Sequence, residues 1–230
     1  MSSKHILVTG ASKGVGRATA AELARRGHNV SVVARSEEKL KQLQTEFPDA
    51  VRLYPADLTN VDQIEQLGKH LEIEDPLQCV IHNAGGLINK KFTDLTDADW
   101  YQLIEINLMS AVRIIRSFVP LMAENSHVVS VGSMGGFMGA AKFQGLSAYS
   151  TTKGALTTLS ECLAVELKQH KINSNCLCLG AVHTEMFEMA FPGKHAPVKP
   201  DQIADFISDF ATKGHHFFNG KVLPVAIQEP

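Results

Sequence analysis

Between His5 and Gly27 the chain passes from an apolar run to a glycine turn to an alanine-rich amphipathic run. The residues are His5-Ile6-Leu7-Val8-Thr9, then Gly10-Ala11-Ser12-Lys13-Gly14-Val15-Gly16, then Arg17 to Arg26, closed by Gly27. A short β-branched run suits a buried strand, and an Ala-rich run ended by glycine suits a helix. A glycine turn between them aims backbone N–H groups and the positive end of a helix dipole at one point, a cradle for phosphate. A Cβ in such a turn blocks either the turn itself or the approach of a pyrophosphate. A plain strand–helix turn would need none of these glycines.

The spacing Gly10-x-x-x-Gly14-x-Gly16 behind Thr9 resembles the Thr-Gly-x-x-x-Gly-x-Gly signature of the short-chain dehydrogenase/reductase family. Later segments extend the likeness over roughly residues 4 to 184. Asn83-Ala84-Gly85 follows a fourth strand, Cys79-Val80-Ile81-His82. Asn107, Ser133, Tyr149 and Lys153 match the family's catalytic tetrad, with Tyr149 and Lys153 four apart and so on one helix face. The resemblance implies an α/β, Rossmann-like, doubly wound parallel sheet of about seven strands with helices on both faces. One domain is expected over 1–230, with a substrate-covering loop at about 185–199.

The second strand, Asn29–Ala34, ends at Arg35, where an NAD-selective fold carries an acid. Arg35 here and Lys13 in the glycine turn favour a 2′-phosphate, hence NADP(H); solvated surface charges are the other reading. Taken position by position, the resemblance puts cofactor contacts at Gly10, Ser12, Lys13, Gly14, Val15, Gly16 and Arg35. It adds Asp57 and Leu58 after a third strand, Val51–Tyr54, with Asp57 accepting from the adenine amino group. Asn83, Ala84, Gly85, Tyr149, Lys153, Gly180, Val182 and Thr184 complete the set. Leu179 stands where the family usually has proline, which questions that loop's rigidity.

The chemistry implied is reversible hydride transfer between NADP(H) and a carbonyl or alcohol. Tyr149 would donate the proton, Lys153 would lower the tyrosine pKa, Ser133 would polarise the substrate oxygen, and Asn107 would hold a relay water. Met186, Phe187, Met189 and Phe191 suggest a lid over a small apolar or aromatic substrate. A 3-oxoacyl thioester reductase and a non-catalytic NADP-binding sensor are the alternatives. The segment after Lys221 lacks the family's usual Val-Asp-Gly-Gly ending, which weakens the acyl-carrier branch.

The other expectations are structural. Thr96 caps a long helix whose apolar face is Trp100, Leu103, Ile104, Leu108, Val112 and Ile115, and the resemblance implies an interruption at Asn107. Leu156, Leu159, Leu163 and Leu167 line the helix opened by Tyr149. Two long helices, around Leu103–Val119 and Tyr149–Leu167, are the family's pairing surface, so a homodimer or homotetramer is expected. Length suffices for a well-buried core: 230 residues, 44% hydrophobic and 20% charged. A net charge of −2 gives no reason to expect nucleic acid or an anionic membrane as partner. With no secretory pattern or spanning run, a cytoplasmic location is expected. Cys79, Cys162, Cys176 and Cys178 read as reduced thiols, His215-His216 as a solvated turn, and no metal set is apparent.

Overall fold

In the computed structural model, which describes residues 3–72 and 75–227, the strand His5–Thr9 (β1) is buried at every residue. The ends of the 1–230 expectation lie outside these residues. Side chains alternate across β1, as strand geometry requires. Ile6 and Val8 enter one core, and Leu7 the other. A strand apolar on both faces needs cover on both, which fits a parallel sheet between helix layers.

Strands Asn29–Ala34 (β2), Val51–Pro55 (β3), Leu77–His82 (β4), Met122–Ser133 (β5), Ile172–Leu179 (β6) and Val222–Val225 (β7) complete the sheet. The order is β3-β2-β1-β4-β5-β6-β7, and every pairing is parallel. The order reverses beside β1, so a crevice opens between β1 and β4 at the carboxyl ends of the strands.

On one face lie the helices Gly14–Arg25 (α1), Glu37–Glu46 (α2) and, much later in the chain, Pro200–Lys213. Their apolar side chains, among them Leu23, Leu40, Ile203 and Ile207, pack on Ile6, Val8 and Val32. On the other face, Val61–Leu71 (α3) packs through Ile64, Leu67 and Leu71 on Leu7 and Val80. Caps set several helix starts. Ser36 accepts from Lys39 N, Asn60 from Gln63 N, and Thr96 forms a capping box with Asp99. No helix among the described residues is long and apolar enough to cross a membrane.

The expected helix from Thr96 is built of three pieces: Asp97–Ile104 (α4), a π-turn Glu105–Met109, and Ser110–Phe118 (α5). The interruption falls at Asn107, as expected, but the apolar face does not. Leu103 and Ile115 are buried; Trp100, Ile104, Leu108 and Val112 are only half-buried. Asn107, Ser110, Ala111, Ile114 and Phe118 face inward instead. Two of these are polar residues that find partners inside. A count of apolar residues therefore places the face about a quarter-turn away.

The helix Ser147–Glu166 (α6) buries Leu156 against Ala111, Ile115 and Val128, with Leu159 and Leu163 packed beside them. His215 does not lie in a merely solvated turn. Its ring rests 5.5 Å from buried His127, and burial pushes its pKa down to about 4. Cys79, Cys176 and Cys178 are buried free thiols, and Cys162 is exposed.

Candidate active site

Thr9 is where the two halves of the crevice meet. Its hydroxyl accepts from the backbone N–H of both Asn83 and Ala84, each at 3.1 Å. Asn83 returns the contact through Nδ2, donating to the carbonyls of Thr9 (3.1 Å) and Gly10 (3.3 Å). The loop after β1 and the loop after β4 are thereby one unit.

Gly10 and Gly14 both carry positive φ, +68° and +56°, which l-residues other than glycine rarely adopt. The first turn of α1 follows Lys13, whose side chain makes no capping hydrogen bond, so its N–H groups face the cleft without a side-chain acceptor. Gly16 departs from expectation. It sits behind the turn, where a Cβ would lie 2.3 Å from Asn83 Nδ2 and 2.5 Å from the Gly10 carbonyl. This glycine is required by helix–sheet packing and is not on the cleft wall.

The cleft has a volume of about 790 Å³. All the other expected cofactor positions line it: Gly10, Ser12, Lys13, Gly14, Val15, Arg35, Asp57, Leu58, Asn83, Ala84, Gly85, Tyr149, Lys153, Gly180, Val182 and Thr184. Lys39, in the first turn of α2, adds a third cation beside Arg35 and Lys13. Its signal was legible, since it lies one helical turn after Arg35. Lys13 forms an ion pair with Glu185, and both are more than half exposed. Asp57 accepts from Thr59 N (2.9 Å) and Thr59 Oγ1 (2.8 Å). Those bonds, with Arg35 nearby, hold its carboxyl below the usual range. The Leu179-Gly180 exit is tied down without proline: Leu179 pairs with Val225, and Gly180 N donates to the Val225 carbonyl at 2.9 Å.

Ser133 ends β5, and Tyr149 lies in the first turn of α6. Both side chains line the cleft, with the Ser133 hydroxyl beside the Tyr149 phenol. Gly135 N also donates to Ser133 Oγ at 3.1 Å. The short turn Met134–Gly136 rides directly on α6, where a Cβ on Gly136 would meet the Lys153 carbonyl carbon at 2.5 Å. That contact fixes Ser133 relative to Tyr149 and Lys153.

Lys153 is buried, and its Nζ donates to the Val131 carbonyl at 2.9 Å. Desolvation pushes its pKa down to about 8. Tyr149 moves opposite to expectation. Burial raises the phenol above its ordinary value, and the neighbouring Ser133 hydroxyl only partly offsets this. The Lys153 proton is directed at a backbone carbonyl, so it does not lower the phenol here.

Asn107 is fully buried one layer behind the cleft wall. Its Oδ1 accepts from Gly86 N at 2.8 Å. Its Nδ2 donates to the Gly86 carbonyl (3.1 Å) and to Thr152 Oγ1 (3.0 Å). Both side-chain N–H groups are thus committed to protein. The side chain clamps the β4 exit loop to α6, which leaves the second lone pair of Oδ1 and the backbone, not Nδ2, as the groups a relay water would meet. Gly85 leaves room for this arrangement: a Cβ there would lie 2.9 Å from Asn107 Oδ1 and 3.3 Å from Lys153 Nζ.

Beyond the Ser–Tyr pair the lining turns apolar: Leu87, Ile106, Met134, Phe143 and Leu146 from the body. The helix Glu185–Ala190 (α7) covers this end and contributes Met186, Phe187 and Ala190, followed by Phe191. Thr184 caps it, accepting from Phe187 N at 3.2 Å. Met189 is 61% exposed and faces away, contrary to expectation. The loop returns through a Val182–Val198 bridge to the final helix, Pro200–Lys213 (α8). Leu87, Ile106, Met134, Phe143 and Leu146 carry no motif, and only tertiary structure gathers them.

A family model described as short chain dehydrogenase matches residues 4–194. A fatty acyl-CoA reductase of Acinetobacter baylyi is 30% identical over 213 residues, covering 89% of this chain and 71% of that protein. An uncharacterized oxidoreductase of Staphylococcus aureus is 28% identical over 220 residues, covering 94% of each. Among solved structures, a short chain dehydrogenase of Escherichia coli complexed with NADPH superposes with a TM-score of 0.88 at 26% identity. It covers 96% of this chain and 95% of that one.

Proposed function

Because this chain belongs to the short chain dehydrogenase family, we propose that it is an NADPH-dependent oxidoreductase. It interconverts the carbonyl and alcohol of a small apolar or aromatic substrate. The observation that carries the reading is the gathering of Ser133, Tyr149 and buried Lys153 on one cleft wall, with an apolar chamber at one end and a cationic, glycine-cradled groove at the other.

The groove fits a phosphorylated dinucleotide. Its glycine turn presents uncapped N–H groups, as a pyrophosphate needs. Arg35, Lys39 and Lys13 line the wall beyond β2, and the position after that strand holds no acid. When bound, NADPH supplies a hydride to the carbonyl carbon.

The chain's own groups handle the oxygen. Ser133 Oγ accepts from Gly135 N, which holds the side chain on the cleft wall and leaves its O–H to donate to the substrate oxygen. The raised pKa keeps Tyr149 protonated near neutrality, the state a proton donor requires. Lys153 stabilises the phenolate left behind by turning its ammonium from the Val131 carbonyl toward it. Asn107 positions the loop and helix that carry these groups. Leu87, Ile106, Met134, Phe143, Leu146 and the lid exclude water, which strengthens every charge interaction in the site.

A second reading, an acyl-thioester reductase, has one observation in its favour. The apolar chamber would also accept an acyl chain, and one relative carries the name fatty acyl-CoA reductase. The half-buried stripe Trp100, Ile104, Leu108 and Val112 supports pairing of two copies through the α4–α5 face.

The test is NADPH consumption against diketones, sepiapterin, quinones, acyl thioesters and aldehydes. Turnover of a neutral carbonyl class, with thioesters poor, is expected. Tyr149→Phe should lower kcat by about 10²–10⁴-fold while leaving NADPH affinity within about twofold. Retained turnover in this variant refutes the proton donor. Silence across the panel with tight NADPH binding favours the sensor reading.

A further inference from the structure

The lid helix α7 is held at both ends by different parts of the molecule. Its first residue, Glu185, pairs with Lys13 in the glycine turn. Its last residue, Ala190, offers a backbone carbonyl of the kind that a helix end leaves without an intrahelical partner. Asn89 Nδ2 donates to that carbonyl at 2.9 Å.

Three further contacts surround this bond. Lys90 N donates to the Gly145 carbonyl at 3.1 Å, joining the 87–91 loop to the 143–146 loop. Phe143 meets Phe191 edge-on, with centroids 5.2 Å apart and planes at 86°. Gly145, at φ +85°, passes so close to Asn89 that a Cβ there would lie 2.0 Å from Asn89 Oδ1. The amide of Asn89 is therefore wedged between Gly145 and the lid.

We propose that Asn89 is a positioning residue for the reaction: it latches α7 against the body over the substrate end, and Gly145 is kept without a side chain to admit it. The proposal rests on the reading of the apolar chamber as the substrate end. Asn89 is itself exposed, so water can replace the lid carbonyl as its partner. The latch can therefore release at each turnover. Because the Thr184 cap, which accepts from Phe187 N at 3.2 Å, holds the other end, opening at Asn89 frees the C-terminal side toward Phe191 while the cofactor groove stays formed.

The experiment uses the full chain with Asn89→Leu, which keeps side-chain bulk and removes the donor, and with Gly145→Ala, which displaces Asn89 while leaving it in the sequence. Amide hydrogen exchange over residues 186–191 is measured with NADPH present, alongside KM and kcat for the best carbonyl substrate and the Kd of NADPH. Loss of one hydrogen bond should speed lid exchange and raise KM roughly 3- to 10-fold, with NADPH affinity within about twofold. Both variants should behave alike, and a merely structural role would move NADPH affinity or the whole exchange pattern instead. Lid exchange unchanged in Asn89→Leu overturns the latch. The exchange readout needs no turnover, so it stands or falls separately from the carbonyl-reductase reading. If one variant fails to fold, the other decides.

Discussion

Lowering the pH from 7 to 5 should destabilise this protein through two histidines in its core. His82 and His127 are fully buried. Ser110 Oγ donates to the Ile106 carbonyl at 2.6 Å and accepts from His82 Nε2 at 3.0 Å. His127 Nδ1 donates to the Ala211 carbonyl at 3.3 Å, and its Nε2 accepts from Asn175 Nδ2 at 2.9 Å. A proton on His127 Nε2 would face another N–H. Burial, chiefly, pushes both pKa values down to about 3. Lys153 adds to the shift at His82, and His215 to that at His127.

In the unfolded chain both rings titrate near about 6.5. Above that pH neither state is protonated and the burial costs nothing extra. Below it the unfolded chain takes up protons that the native state refuses, so stability falls with pH until the native pKa values are reached. Each ring accounts for about 2 kcal/mol between pH 7 and 5, and the pair for about 4 kcal/mol. That is a large part of a typical net stability of about 5–15 kcal/mol. His28, which is buried, and His215, which is half-buried, are also shifted down and add to the loss. The lowered carboxylates Asp57, Asp99, Asp209 and Glu185 act mainly at lower pH, where their unfolded forms protonate. Urea unfolding followed by circular dichroism at the two pH values measures the difference. Replacing His82 or His127 by Asn should remove about half of the loss assigned to the pair. A wild-type loss under about 1 kcal/mol, or a doubly substituted chain with an unchanged pH slope, refutes the reasoning.

Two substitutions test the crevice itself. Thr9→Val leaves the buried N–H groups of Asn83 and Ala84 without their acceptor and should cost about 2–4 kcal/mol in urea unfolding; a loss under about 1 kcal/mol argues against the hydroxyl as the joint. Arg35→Asp should weaken NADPH binding about 10- to 100-fold and improve NADH, measured by fluorescence titration; an unchanged preference removes the phosphate clamp.

Much of this was legible because local chemistry and tertiary structure agree. The β1–glycine turn–α1 segment, β2, and the cap at Thr96 follow from short-range rules that burial then reinforces. What escaped the sequence depends on distant partners. Asn107 and Ser110 are polar, yet they face inward because Gly86, Thr152 and the Ile106 carbonyl receive them. Gly16 looked like part of the phosphate cradle, but Asn83, far along the chain, claims the space it leaves. Tyr149 and Lys153 share a helix face as their spacing requires. The direction of each pKa shift depends on how much water the rest of the fold excludes.

The place of β1 in the sheet has a consequence for how the protein is made. β1 leaves the ribosome before both of the strands that flank it in the finished fold, β2 and β4. Its β2 edge can be covered after a few dozen residues, but its β4 edge waits until residues 77–82 have emerged. Until then the nascent chain carries an apolar strand with an unpaired edge, the kind of template that invites pairing with another chain. The Thr9–Asn83 joint closes only when that wait ends, so no truncated product ending before β4 can hold the crevice in its final shape.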